Sequence, residues 1–204
     1  MTIYIPPHFS GDAATARQLI ADHPFATLIT APGGAVHVTH VPLLLDEAGA
    51  ALTGHVAKAN PHWRLLESAD SVAVFHGPHA FVSRGWYEHP ADNVPTWNYA
   101  TVHVTGRAQL QPAAASRATL EHLAARFEPA GLPPIAEAKM ERLPQGIVAF
   151  RLPIGSLEVK FKMNQNKTAA DRAGVIRGLR ASGAPGATAT ANWMQAHDEV
   201  PSHP

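Results

Sequence analysis

Cysteine is missing from all 204 residues of this chain. Its absence excludes a disulfide framework, a thiolate zinc site and a cysteine nucleophile. An excess of either charge is also missing, because 16 basic residues balance 16 acidic ones. A protein dedicated to nucleic-acid binding usually carries a basic excess that neutralises phosphates. The composition therefore gives no support to that class.

Long apolar runs are missing as well. No stretch approaches the roughly 20 apolar residues that span a bilayer, and the N-terminus lacks the basic start and apolar run of a signal peptide. We therefore expect a cytoplasmic protein with no membrane partner. Hydrophobic residues still make up 46% of the chain, which is enough to build a folded core.

Short strand candidates dominate the hydrophobic pattern. Helical spacing occurs only at residues 12–22, 60–68, 113–127 and 168–181, whereas strands are predicted at 25–30, 35–45, 51–56, 71–76, 80–83, 96–109, 147–152 and 156–163. Many short strands with few helices favour a barrel over a parallel sheet. The Ala/Gly/Thr/Pro-rich end predicts one domain over residues 1–183 and a flexible tail over 184–204.

The first candidate site is the segment 54–63, Gly-His-Val-Ala-Lys-Ala-Asn-Pro-His-Trp. A strand ends there, Lys58 follows, and Asn60 with Pro61 opens a helix as cap and first residue. Unpaired N–H groups at a helix start, with a lysine beside them, suit a phosphate. An ordinary capped helix with a solvated lysine is the alternative.

The second candidate is the strand within residues 94–106, whose two faces differ. Period-two spacing gives one face Trp97, Tyr99, Thr101, His103 and Thr105, and the other Asn98, Ala100, Val102 and Val104. The second face is typical of a core. The first fits a ligand platform or a subunit interface, or else a half-exposed strand of large β-formers.

The third candidate is the segment 157–167, where apolar and polar residues alternate. Lys160 and Lys162 point the same way, next to the amide-rich turn at Gln165 and Asn166. Such a cluster fits an anion or the edge of a flat heterocycle. A charged edge strand guarded by lysines explains the pattern equally well.

The 13 histidines give no metal prediction. His37 and His40 lie three apart on a strand and therefore point to opposite faces. His76 and His79 flank a turn without a carboxylate, which is a thin ligand set for zinc.

Taken together, these segments resemble the PaiB-type family of FMN-binding negative transcriptional regulators. The resemblance rests on residues 25–30, 39–45, 54–63, 77–83, 94–99 with 102–103, and 160–167, which occur in family order. It implies a mainly β fold with peripheral helices (α+β), a split β-barrel that binds FMN at the interface of a homodimer.

The resemblance also implies which residues bind the cofactor. The FMN ribityl chain and phosphate would be lined by Thr39, His40, His55, Ala57, Lys58 and Asn60. The rest of the pocket, contributed by either subunit, would be formed by Trp97, Asn98, Tyr99, Lys160, Lys162, Gln165 and Asn166. The chain departs from the family pattern at Asn164, where the family usually has serine.

Three functions stay open at this stage. One is an FMN-binding repressor or sensor, for which the basic excess over residues 160–180 is the one feature that suggests DNA. Another is a flavin-dependent oxidoreductase or a haem-handling enzyme acting on a small molecule, with His76, His79 or His103 as haem ligand. The last is a dimeric barrel that has lost its cofactor, which Asn164 keeps open.

Overall fold

The computed structural model describes residues 3–197 and shows a mainly antiparallel β structure with helices. Its strands are β1 (Phe25–Thr30), β2 (His37–Pro42), β3 (Leu44–Leu45), β4 (Ala51–Ala57), β5 (Ser71–Val82), β6 (Thr96–Gly106), β7 (Gln109–Leu110), β8 (Ile147–Pro153) and β9 (Ser156–Lys162). Its α-helices are α1 (Ala13–Asp22), α2 (Ala115–Phe127), α3 (Glu137–Met140), α4 (Ala169–Ser182) and α5 (Ala187–Ala196). The predicted α+β class is confirmed.

Two sheets organise these strands. One has five strands in the order β2-β1-β5-β6-β9, and the other has four in the order β3-β4-β8-β7. The pair β1–β2 is antiparallel, with Thr27 opposite His40 and Leu28 opposite Thr39. The turn before β2 contains Gly33 at φ 60° and Gly34 at φ 91°, a left-handed conformation that glycine adopts at no steric cost.

The described residues divide into two compact units. A larger unit holds residues 17–75 and 103–157, and a smaller unit holds residues 3–16, 76–102 and 158–197. The larger unit has a core of leucines with Phe75 and Phe150, while Met163, Leu179 and Met194 are fully buried in the smaller one. The predicted single domain over residues 1–183 stays a prediction.

Local signals explain several boundaries. Asp12 caps α1 by accepting the N–H groups of Ala14 and Thr15, each at 2.8 Å. Thr168 caps α4 in the same way, accepting the N–H of Asp171 at 3.1 Å. Both helices begin where the sequence predicts them.

Among the elements that differ from the sequence-based expectations are β5, the segment after Asn60, and α5. Strand β5 runs unbroken through Gly77 and Pro78, because the fixed φ of proline is compatible with an extended backbone. The helix predicted from residue 60 to 68 is a short 3-10 helix over Pro61–Leu65.

The third difference is α5, which forms inside the predicted flexible tail. Its buried residues Ala187, Thr190, Ala191 and Met194 follow the i, i+3, i+4, i+7 spacing of one helix face. A prediction from composition alone does not take this spacing into account. Residues 198–204 of the predicted tail lie outside the described residues. Within the described part of the chain, no helix is both long and apolar enough to cross a membrane.

Candidate functional site

The candidate residues of the larger unit lie on two strands and the connection that follows one of them. Thr39 and His40 are on β2, His55 and Ala57 are on β4, and Lys58 and Asn60 follow β4. Thr39 and Asn60 are in direct contact, since the Asn60 amide Nδ2 donates to Thr39 Oγ1 at 3.0 Å. Two stretches that are separate in sequence therefore meet at one polar cluster.

His62 joins the same cluster from the first turn of the 3-10 helix. Its Nδ1 lies 2.8 Å from Thr39 Oγ1, and its Nε2 lies 2.9 Å from Thr30 Oγ1. His62 as a whole is 2% exposed, and burial lowers the pKa of its imidazole, with the nearby His37 lowering it further. At neutral pH we therefore treat His62 as an uncharged imidazole held between two hydroxyl groups.

His40 does not join this cluster. It lies on the opposite face of β2, as adjacent strand residues must, where its Nδ1 is 3.2 Å from Thr27 Oγ1 and its ring stacks on Phe25 at 6.3 Å. His55 is half-buried on β4, and burial lowers its pKa. Thr39 and His40 therefore present their side chains to different surroundings.

Lys58 combines a fixed backbone with an exposed side chain. Its N–H donates to the Gly146 carbonyl at 2.8 Å, and its own carbonyl accepts the indole N–H of Trp63 at 3.0 Å. These two bonds anchor the residue while its ammonium group reaches solvent. By contrast, the N–H of His62 is already taken by the Asn60 side chain at 3.0 Å, so the short helix offers less to a phosphate than Lys58 does.

In the smaller unit, Lys162 is held against the start of β6. Its ammonium donates to the Thr96 hydroxyl and to the Trp97 carbonyl, the latter at 2.8 Å. Burial lowers its pKa, and the charge of Lys160 adds to this. Lys160 in turn donates to the Tyr4 carbonyl at 2.8 Å and lies 5.8 Å from the Tyr99 ring centre.

Trp97 heads an exposed aromatic surface of the smaller unit. Its indole is 49% exposed, lies 6.0 Å from the His79 ring and meets Phe81 edge-on at 6.2 Å. Trp97 and Tyr99 share one face of β6, as predicted from the alternation. Asn98 lies on the other face and is fully buried.

Two amide side chains of the candidate set, those of Asn98 and Gln165, form hydrogen bonds within the protein. Asn98 donates to the Met194 sulfur at 3.4 Å, and its Oδ1 has no hydrogen-bond partner among the residues described. Gln165 accepts the Met163 N–H at 2.7 Å and donates to the Phe161 carbonyl, so both ends of its amide are occupied. Asn166 is exposed.

Sequence reasoning overlooked three residues of the larger-unit cluster. His62 lies inside the segment 54–63 and could have been found there, two positions after the cap Asn60. Thr30 and Ser71 carry no local signal, because they meet only through the pairing of β1 with β5, where their hydroxyl oxygens are 2.6 Å apart. No group of three or more metal-ligating side chains forms within residues 3–197.

The chemistry of these side chains fits FMN. Ammonium groups match a phosphate, hydroxyl and amide groups match the ribityl hydroxyls, and exposed aromatic rings match a flat heterocycle. Lys58, Thr39 and Asn60 belong to the larger unit, and Trp97 and the two lysines belong to the smaller unit.

Comparisons with known proteins identify the family to which the chain is related. A family model for an FMN-binding domain matches residues 3–156. The Bacillus subtilis (strain 168) protein named "Protease synthase and sporulation protein PAI 2" is 31% identical over 202 residues, which cover 95% of this chain and 97% of that protein.

Two solved structures are similar in fold. The FAD and heme binding protein from Mycobacterium smegmatis matches with a TM-score of 0.61 at 18% identity, over 86% of this chain and 80% of that one. The flavocytochrome Anf3 from Azotobacter vinelandii matches with a TM-score of 0.59 at 18% identity, over 79% of this chain and 73% of that one. At such identity the likeness shows the fold, the split barrel of flavin-binding proteins.

Proposed function

Because this chain belongs to the FMN-binding domain family whose model spans residues 3–156, we propose that it is an FMN-binding transcriptional regulator of the PaiB type, acting as a homodimer. The PaiB-type resemblance and the FMN cofactor, both predicted from the sequence, are confirmed by this membership and by the 31% identity to the Bacillus subtilis protein. The regulatory role and the dimer are the parts that we add.

The observation that carries the regulatory half is the relationship that spans nearly the whole of both chains. The name of that relative joins protease synthesis with sporulation. A protein named for the production of an enzyme and for a developmental process is more consistent with control of expression than with one chemical reaction. Fold alone would not distinguish the two.

In this proposal the larger unit holds the polar part of FMN. Lys58 neutralises the phosphate, and Thr39 and Asn60 bind phosphate or ribityl oxygens, with His55 and Ala57 bordering them. On the smaller unit taken by itself, Trp97 and Tyr99 with the adjacent lysines have the chemistry to bind a flat heterocycle such as isoalloxazine. When bound, FMN supplies a redox-sensitive group, which is what a sensor needs.

For the contact with DNA, the residues to consider are the arginines of α4. On α4, Arg172 is buried and donates to the Met163 carbonyl at 3.2 Å, and Arg180 binds Gln195 of α5 at 3.0 Å. These guanidinium groups support helix packing. Arg177 is exposed on the same helix and is the basic residue we would test first.

One experiment tests both halves of the proposal. The purified protein is titrated with FMN and followed by absorbance, then mixed with a labelled DNA fragment from upstream of its own gene, with and without FMN. We expect saturable flavin binding and FMN-dependent DNA binding. Protein that ignores FMN would overturn the cofactor half. FMN binding without DNA binding, but with oxidation of NAD(P)H, would replace the regulator by an oxidoreductase, and a haem spectrum after haem addition would favour the haem-handling enzyme.

A further inference from the structure

A chain of hydrogen bonds links a buried serine to the surface of the larger unit. It runs from Ser71 to Thr30 at 2.6 Å, from Thr30 to His62 at 2.9 Å, and from His62 to Thr39 at 2.8 Å. Asn60 joins at the end, donating to Thr39 at 3.0 Å. Ser71 is 0% exposed and Thr30 is 1% exposed, whereas Thr39 is only half-buried.

A neutral imidazole fixes the direction in which protons are donated along this chain of hydrogen bonds. It carries one proton, so one ring nitrogen donates and the other accepts. If Nδ1 carries the proton, it donates to Thr39, and Nε2 accepts from Thr30. If Nε2 carries the proton, it donates to Thr30, and the Thr39 hydroxyl must donate its own proton to Nδ1.

The buried end decides between these directions. In the first, the Ser71 hydroxyl donates to Thr30, Thr30 donates to His62, and every buried proton has an acceptor. In the second, Thr30 donates to Ser71, and the Ser71 proton has no acceptor among the side chains that the structure describes around it. A buried donor without a partner costs about 1–3 kcal/mol, so the first direction is favoured.

We propose that His62 is a positioning residue of the FMN site: as the Nδ1–H tautomer it donates to Thr39 and so leaves the Thr39 hydroxyl proton free for the ligand. Asn60 also donates to the Thr39 oxygen, so the remaining hydrogen bond of that hydroxyl points outward as a donor. A phosphate oxygen only accepts, and a ribityl oxygen accepts readily. This inference rests on the proposed FMN binding. It adds that His62 orients the Thr39 hydroxyl that contacts the ligand.

The tautomer can be measured without any cofactor. Protein with ¹⁵N-labelled histidine is studied by long-range ¹H–¹⁵N NMR at pH 7.5, and His62 is assigned by the signals that disappear in His62→Gln. We expect a protonated Nδ1 and an unprotonated Nε2 in the free protein and with FMN. A protonated Nε2 in the free protein would overturn the proposal.

Two matched substitutions separate positioning from folding. The amide of His62→Asn overlays Nδ1 and keeps a donor for Thr39, whereas the amide of His62→Gln overlays Nε2 and reaches Thr30 instead. We expect FMN affinity within about threefold of the unsubstituted protein for His62→Asn, and a loss of about tenfold for His62→Gln, the upper range for one hydrogen bond. Thermal unfolding of both variants reports the structural cost.

The outcomes distinguish this inference from the proposed function. If the unsubstituted protein fails to bind FMN, the proposed function fails, although the tautomer is still measured. If FMN binds and both substitutions weaken it equally, in proportion to their loss of stability, His62 has a structural role only and the inference is wrong. Ser71→Ala adds a check: without the serine oxygen, His62 Nε2 is the remaining side-chain partner described for the Thr30 hydroxyl proton, so the Nδ1–H tautomer should persist.

Discussion

At the scale of single residues, Asn164 stands where the PaiB-type resemblance leads us to expect serine. Its backbone is left-handed at φ 62°, a conformation that asparagine tolerates better than serine. Its side chain is buried and donates to the Tyr87 hydroxyl at 2.8 Å. The backbone conformation and this hydrogen bond explain why asparagine suits position 164, without reference to a cofactor.

The first prediction concerns this residue. Asn164→Ser should lower the free energy of unfolding by about 1–3 kcal/mol, because it loses the Tyr87 hydrogen bond and fits the left-handed backbone less well. Tyr87→Phe removes the same hydrogen bond without changing the backbone and should cost about 1 kcal/mol. Urea unfolding of both variants measures the difference. Equal stability of Asn164→Ser and the unsubstituted protein would contradict this account.

Lys58 carries the second prediction at residue scale. Lys58→Ala should weaken FMN binding by about 1.5–3 kcal/mol, the range for hydrogen bonds to charged groups. Lys139→Ala is the matched control, since Lys139 is also an exposed lysine and lies on α3, outside the candidate site. Titration calorimetry of the two variants decides. If both bind FMN alike, the phosphate lies elsewhere.

At the scale of elements, α4 forms despite two glycines that sequence propensity counts against it. Both face the 3-10 helix over Arg84–Trp86, and a Cβ at Gly174 or Gly178 would overlap the Trp86 carbonyl or its indole ring. The glycines therefore trade intrinsic helix stability for close packing.

A double-mutant cycle tests this packing. Gly178→Ala alone should destabilise the protein by about 1–2 kcal/mol, because overpacking outweighs the gain of about 1 kcal/mol in helix propensity. In a Trp86→Ala background the overlap is gone, and the same substitution should be neutral or stabilising. Thermal unfolding of the four proteins gives the coupling. Additive effects would mean that Trp86 does not set the requirement for glycine.

At the scale of the whole molecule, the proposed homodimer needs a surface. Phe81 and Trp97 expose about half of their side chains next to each other on the smaller unit, and aromatic residues are enriched at interfaces. We expect a dimer burying more than about 2,000 Å², the size of larger, obligate-type interfaces. Two chains would then contribute to each FMN site.

Analytical ultracentrifugation at micromolar concentration measures this expectation. The unsubstituted protein should sediment as a dimer, and Phe81→Arg should shift it towards monomer. Phe127→Arg is the control, because Phe127 on α2 is as exposed as Phe81, at 50%. A monomeric unsubstituted protein would count against the shared site. If both substitutions dissociated the dimer, the result would not support an interface at Phe81.

Local chemistry explains which parts the sequence determined. The alternation along β6 predicted its core face, the cap Asn60 predicted the start of the 3-10 helix, and the order of motifs predicted the family. Each of these depends on neighbours within a few residues or on side-chain type. The Ala/Gly/Thr/Pro-rich composition from residue 184 onward does not predict α5, whose helical spacing lies within that stretch.

Only the tertiary structure decided how distant residues combine. No local pattern relates Thr30 to Ser71 or either of them to His62, because these contacts depend on strand register and on a turn that brings residue 62 back to β2. The same holds for the separation of Thr39 from His40, neighbours in sequence with different partners in space. Side-chain type sets what a residue is able to bind, whereas the fold sets which donors remain free to bind it.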